Sequence, residues 1–172
     1  MVLGEHMVGE AKQYSSVVAI ALGTGLGAGI IINNALYEGN NCGAGEIGSL
    51  PYLDSNFENY TSSSFFESKH GISAARAHSD AAQGKKEAQL IWNQYGRHLG
   101  NTLMATMYTF DPQAIVLGGS IAKAYVYFEQ AMHNTLSEFP YPESVRRLAI
   151  LCSKLENIAI LGAAALVREA DL

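Results

Sequence analysis

The sequence predicts an α/β protein built on a mixed sheet with helices against it, and three observations point there. First, two β-branched apolar runs, Ser15–Leu22 (SSVVAIAL) and the end of Gly23–Asn33 (GTGLGAGIIIN), flank a cluster of glycines, the pattern of strand, turn, strand. Second, between Lys85 and Phe110 apolar residues recur at Ile91, Tyr95, Leu99, Leu103 and Met107, a spacing of four that marks one face of a long helix. Third, strand and helix patterns then alternate to the end of the chain, which calls for parallel pairing through right-handed crossovers.

Taken in order, Val2–Lys12 reads as the end of a helix leading into the first buried strand. Asn33-Asn34 forms a turn and Ala35–Glu38 a third short strand, so the opening is an antiparallel meander. Residues 39–64 are rich in Gly, Asn and Ser and read as a long loop, the kind that carries function in a compact domain. Phe65 to about Ala81 suits one or two short helices. In the long helix, Gly96 and Gly100 lie one turn apart and let another backbone approach, and Asp111-Pro112 ends it. Gln113–Leu117 is a strand, Gly118-Gly119-Ser120 a turn, Ile121–Ser137 a helix, Leu148–Cys152 a strand and Asn157 to about Glu169 a closing helix. A chain of 172 residues is expected to form a single domain.

Composition narrows the function. With 48% hydrophobic and 16% charged residues the chain has the makings of a packed core, which excludes disorder. A net charge of −5 offers no basic surface for a phosphate backbone, so nucleic acid is not the expected partner. The nearly uncharged stretch 13–37 is broken by glycines and by Thr24, Asn33 and Asn34, so no membrane span is predicted. Cys42 and Cys152 are far apart and show no metal-ligand spacing, which fits a reduced, cytoplasmic setting. The five histidines lack metal spacing as well, and no metal site is assigned.

Three places carry candidate chemistry. The turn Gly23-Thr24-Gly25 and its following glycines can surround phosphate oxygens with bare amides, although the run has neither the Gly-Lys-Ser/Thr ending of a P-loop nor the GxGxxG spacing. A tight hairpin without a ligand fits the same pattern. Gly118-Gly119-Ser120, after a strand and before a helix, can bind an anion or lie against a flat ring. Its spacing is also close to a nucleophile elbow, with Ser120 as nucleophile and His133 as base, and Ser120 is equally a good N-cap. Glu46 and Glu58 place two carboxylates in one glycine-rich region, suited to sugar hydroxyls, to glycoside hydrolysis, or to solvent alone.

The run Leu22–Asn33, then Gly39, Asn41 and Gly45-Glu46-Ile47-Gly48, together with Asp111-Pro112, Ile115–Ser120 and Leu161-Gly162-Ala163-Ala164, resembles the ROK family of sugar kinases and repressors. The resemblance spans nearly the whole chain, and its blocks are specific as an ordered set. It implies a ribonuclease-H-like, actin-type ATPase domain corresponding to the C-terminal lobe of a sugar kinase, with the N-terminal lobe absent. It implies glucokinase-like transfer from ATP with Mg2+ to a hexose or N-acyl hexosamine, in a homo-oligomer, commonly a dimer. Gly23, Thr24 and Gly25 would face the ATP phosphates, and Gly118, Gly119 and Ser120 the adenosine side.

Within the resemblance, Glu46 matches the first sugar acid, while the Gly-His that usually follows is here Gly48-Ser49. Ser49 therefore stands where a ligand of sugar and zinc would be. Leu50–Asn56 replaces the cysteine-rich zinc loop, so a zinc-free member is implied, and Phe57–Ser62 aligns Glu58 with the second sugar acid. The general-base Asp of the family lies just before a Gly-Glu pair like Gly4-Glu5 or Gly9-Glu10, and the first aspartate here is Asp54. That base is expected upstream of Met1, leaving no catalytic residue in this chain and little activity on its own. A sugar-sensing module without catalysis is the alternative that the repressors of the family suggest. With no helix-turn-helix pattern at its start and a net charge of −5, DNA binding by this chain itself is not expected.

Overall fold

A computed structural model describes residues 1–155 and 157–170. Five strands, β1 (Val17–Leu22), β2 (Leu26–Ile32), β3 (Ala35–Leu36), β6 (Ala114–Gly118) and β7 (Ala149–Cys152), form one sheet in the order β3-β2-β1-β6-β7. The meander is antiparallel, with Val17 opposite Ile31 and Leu22 opposite Leu26. β6 then joins β1 in parallel, and β7 joins β6 in parallel. The mixed sheet read from the sequence is present. Asn33 and Asn34 both take positive φ, 53° and 65°, which is how a two-residue hairpin matches the twist of its strands.

Strand alternation divides the core into two layers. Val18, Ile20, Leu22, Ile115 and Leu117 face the larger layer, covered by α4 (Lys86–Phe110) and α5 (Tyr125–Leu136). Val17, Ala19 and Val116 face the opposite side, where α1 (Val2–Val8) and α7 (Ile158–Ala170) pack on each other. The period of two along β1 and β6 therefore decides which helices each strand residue meets.

The long helix α4 buries Tyr95, Leu99, Leu103 and Met107 as the spacing predicts, with Ile91 only half-buried beside the fully buried Trp92. Gly96 and Gly100 do admit another backbone: a Cβ on Gly96 would stand 2.4 Å from the Phe128 carbonyl oxygen, and one on Gly100 2.6 Å from Thr135 Cβ. Helix α5 packs there. Asp111 ends α4 in the left-handed region at φ 41°.

Three stretches differ from the sequence reading. Residues 39–64 are more ordered than a loop: they contain a 3-10 turn (Ile47–Ser49), a small hairpin of β4 (Pro51–Tyr52) and β5 (Ser55–Asn56), and helix α2 (Phe57–Thr61). Asn56 caps α2 by accepting from the Asn59 amide at 3.0 Å. The helix expected at Ile121–Ser137 starts as a 3-10 turn, Ile121–Ala124, before α5. A short helix α6 (Pro142–Arg147) is an addition to the sequence reading; with no buried residue it shows no apolar periodicity. Between α2 and α4 lie a π-helical turn, Phe65–Lys69, and α3 (Ala74–Ala82).

Candidate functional site

Parallel pairing sets Ala21 of β1 opposite Gly118 of β6, so the two strands end together and both run on into glycine turns. Gly119 fastens the turns to each other. Its φ is +89°, and a Cβ there would stand 2.3 Å from the Leu22 carbonyl oxygen. A Cβ on Gly23 would lie 3.9 Å from Ser120 Oγ, so Gly23-Thr24-Gly25 and Gly118-Gly119-Ser120 are neighbours at one end of the sheet. Thr24 and Ser120 are exposed beside these backbones. The hairpin turn is closed by the Gly23 amide donating to the Gly25 carbonyl at 3.1 Å.

The acidic residues approach the same hairpin from β2. Gly45, at φ +96°, brings its loop so close that a Cβ would stand 2.1 Å from the Ala28 carbonyl oxygen, while the Ala28 amide donates to the Gly45 carbonyl at 3.2 Å. A Cβ on Gly48 would stand 2.7 Å from the Leu26 carbonyl oxygen. These contacts hold Glu46 and Ser49 beside the start of β2, both exposed. Glu58, in the first turn of α2, is not a loop acid: its Oε2 accepts from the Leu26 amide at 2.9 Å. The three candidate sugar residues thus gather around Leu26–Ala28, directly after the glycine turn.

A cleft of about 980 Å³ opens on the other side of the turns, lined by Ala21, Gly119 and Ser120 and, from beyond β6 and β7, by Lys123, Tyr125, Lys154 and Asn157. This volume and its mixture of ammonium groups, hydroxyls and backbone suit a nucleotide. The sequence reading missed these four residues. The available signal was topological, since ligands sit beyond the carboxyl ends of parallel strands, and these residues follow β6 and β7. Burial, then Cys152 and Glu129, push the Tyr125 hydroxyl up to about 12, so it stays a protonated donor at neutral pH. Burial and then Glu129, opposed by Lys154, raise the Cys152 thiol as well, which favours the neutral thiol over the thiolate.

The hydrolase reading of Ser120 finds no support in the geometry. His133 Nε2 lies 3.3 Å from the Tyr125 hydroxyl, and among the described residues no hydrogen bond joins His133 to Ser120. Nor does Ser120 act as a side-chain cap. Among the described residues no three His, Cys, Asp or Glu side chains gather as a metal site, and no helix is long and apolar enough to cross a membrane.

The β4–β5 hairpin is held by polar aromatic packing. Tyr52 stacks on Phe57 with centroids 4.5 Å apart and its hydroxyl lies 3.1 Å from His98 Nδ1, while the Tyr60 hydroxyl donates to Asp54 and accepts from Lys69 at 3.1 Å. Burial, reinforced by Lys69 and Arg97, lowers the His98 pKa, and burial alone lowers that of His70. In both cases the fold favours the neutral ring and the unfolded chain binds more protons. Stability is therefore full above the ordinary histidine pKa of about 6.5 and falls as the pH drops through it. Thermal unfolding should show a lower midpoint at pH 5.5 than at pH 7.5, and His98→Gln should flatten that dependence.

Comparisons with known proteins bear on the fold and the family. The chain is 24% identical to the glucokinase of Thermotoga maritima over 98% of its own length and 63% of that protein. It is 27% identical to the xylose repressor of Bacillus subtilis over 95% of its length and 47% of the repressor. Its fold matches that of a ROK family glucokinase from Streptomyces griseus, solved with glucose and AMPPNP, at TM-score 0.84 and 23% identity, over 98% of this chain and 65% of that one. The chain therefore spans about half to two thirds of these relatives, and its fold is the actin-like ATPase fold that they share. The profile of the ROK family matches residues 1–170, and the chain belongs to the ROK family.

Proposed function

We propose that this chain is the sugar- and nucleotide-binding part of a glucokinase-like hexose kinase, corresponding to the C-terminal lobe. The observation that carries the reading is the convergence of two glycine turns with a carboxylate-bearing segment at one end of the sheet, joined through Gly119 and Leu26. The Thr24 and Gly25 amides and the exposed Thr24 hydroxyl, with the Gly23 amide already bonded to the Gly25 carbonyl, would hold the phosphates of ATP, with Mg2+ carried by the nucleotide. The cleft beyond Gly118–Ser120 would take the adenosine. Glu46, Ser49 and Glu58 would accept and donate hydrogen bonds to the hydroxyls of a hexose or N-acyl hexosamine, carboxylate acceptors giving the stronger, charge-assisted bonds.

Phosphoryl transfer needs positioning, charge stabilisation and a base near the attacking hydroxyl. The sugar-side carboxylates here are assigned to binding, and Asp54 is engaged by Tyr60 and Lys69. In this reading the base comes from protein outside residues 1–172, and the isolated chain binds both ligands without transferring phosphate. Self-association as a dimer belongs to the same reading. Glu46→Gln should weaken glucose binding about 10-fold, the loss of one charge-assisted hydrogen bond, with nucleotide binding unchanged, as measured by calorimetric titration. Unchanged glucose affinity in that variant would remove Glu46 from the sugar site.

The similarity to the xylose repressor supports a second reading, in which the domain senses sugar without nucleotide. Saturable glucose binding together with no response to Mg-AMPPNP would select it.

A further inference from the structure

Glu58 touches both halves of the proposed site. Its Oε2 accepts the Leu26 amide hydrogen at 2.9 Å and lies over Gly25 so closely that a Cβ there would stand 2.7 Å from it. Among the described residues its Oε1 takes part in no hydrogen bond. From the far end of the same segment, the Ser63 amide donates to the Gly23 carbonyl at 2.8 Å. The segment between these two points is fixed to the core, because the buried Tyr95 hydroxyl donates to the Thr61 carbonyl at 2.9 Å and Thr61 Oγ1 donates to the Phe57 carbonyl at 2.7 Å. The Gly23–Gly25 turn is thus gripped at both ends by one anchored segment, and one of the grips is a carboxylate with an oxygen to spare.

We propose that Glu58 is a positioning residue that couples hexose binding to the conformation of the phosphate-facing turn, an inference that rests on the two-ligand reading above. A hexose hydroxyl donating to Oε1 fixes the carboxylate, and Oε2 then holds Leu26 and the end of the turn in one place. The ordering cost of the turn is met once, by the sugar, and the nucleotide binds a turn already set. Linkage makes the effect reciprocal, so bound nucleotide tightens sugar binding by the same factor. A carboxylate that merely capped the hairpin would support stability and leave the two affinities independent.

The test titrates glucose into the 172-residue chain, with and without saturating Mg-AMPPNP, for the wild type, Gly25→Ala and Glu58→Gln, with folding checked by circular dichroism. In the wild type the nucleotide analogue should tighten glucose binding about 5- to 10-fold, within the usual range of such couplings. Gly25→Ala places a methyl group where the carboxylate lies and alters no sugar-facing side chain, yet it should weaken glucose binding without nucleotide and reduce the coupling factor toward one. Glu58→Gln keeps an oxygen for the Leu26 amide but puts an NH2 in place of the acceptor Oε1, so it should lower glucose affinity and reduce the coupling factor toward one; coupling unchanged in this variant would overturn the role given to the carboxylate. Independent binding of glucose and Mg-AMPPNP by the wild type would overturn the positioning role and leave the two-ligand reading standing. Binding of neither ligand would overturn both.

Discussion

Replacing Gly119 by Ala should destabilise the protein by about 2–4 kcal/mol and abolish measurable nucleotide binding. Two costs add. The left-handed φ of +89° is strained for any residue with a Cβ, at about 1–2 kcal/mol, and the new methyl group would stand 2.3 Å from the Leu22 carbonyl oxygen. That oxygen belongs to the backbone of a fully buried strand residue, so it cannot rotate aside like a side chain. The turns must separate, and the proposed pairing of a phosphate side with an adenosine side would be lost with them. Urea denaturation measures the first effect and titration with Mg-AMPPNP the second. By contrast, a methyl group on Gly27 would meet nothing within 4 Å, and Ala there should cost well under about 1 kcal/mol.

Trp92→Ala should be the most damaging core substitution, at about 3–5 kcal/mol. The side chain is fully buried between the turn of Phe66 and helix α5, with ring centroids 4.7 Å from Phe66, 5.5 Å from Tyr95 and 5.8 Å from Phe128. A hole of that size at the junction of α4 with α5 cannot close, because Gly96 already brings α4 into contact with the backbone of Phe128. The indole Nε1 has no hydrogen-bond partner among the described residues. Trp92→Phe therefore removes an unsatisfied buried donor along with volume, and should cost less than half as much as Ala. Equilibrium urea unfolding of the two variants gives the comparison directly.

The regular elements were legible because their residues obey a local period. In β1 the alternation of Val17 and Ala19 with Val18, Ile20 and Leu22 states both that the strand is buried on two faces and which residues share a face. The spacing of four along α4 and the pair Gly96 and Gly100 announced a buried helix approached by another. The region 39–64 obeys no such period, since its order comes from distant partners. Thr61 is held by Tyr95, Tyr52 by His98 and Gly45 by Ala28, and none of those pairings is visible in a local window.

The site divides in the same way. The glycines at 23, 25, 118 and 119 stand out in the sequence, and the structure puts their two turns side by side, with Gly119 the one that close backbone approach demands. Glu58 was legible as an acid of the right region, but its hold on Leu26 required the α2 helix and its Asn56 cap. Lys123, Tyr125, Lys154 and Asn157 carry no motif, and only the parallel order β1-β6-β7 brings them to one cleft.

The two glycine turns and the cleft beside them are proposed above to form a nucleotide site. Its most direct test is calorimetric titration of Mg-AMPPNP into the wild-type chain beside Gly119→Ala. Saturable binding of one nucleotide per chain is expected in the wild type and none in the variant. Absence of binding to a folded wild-type chain at millimolar nucleotide, or equal binding by the folded variant, would contradict the proposal.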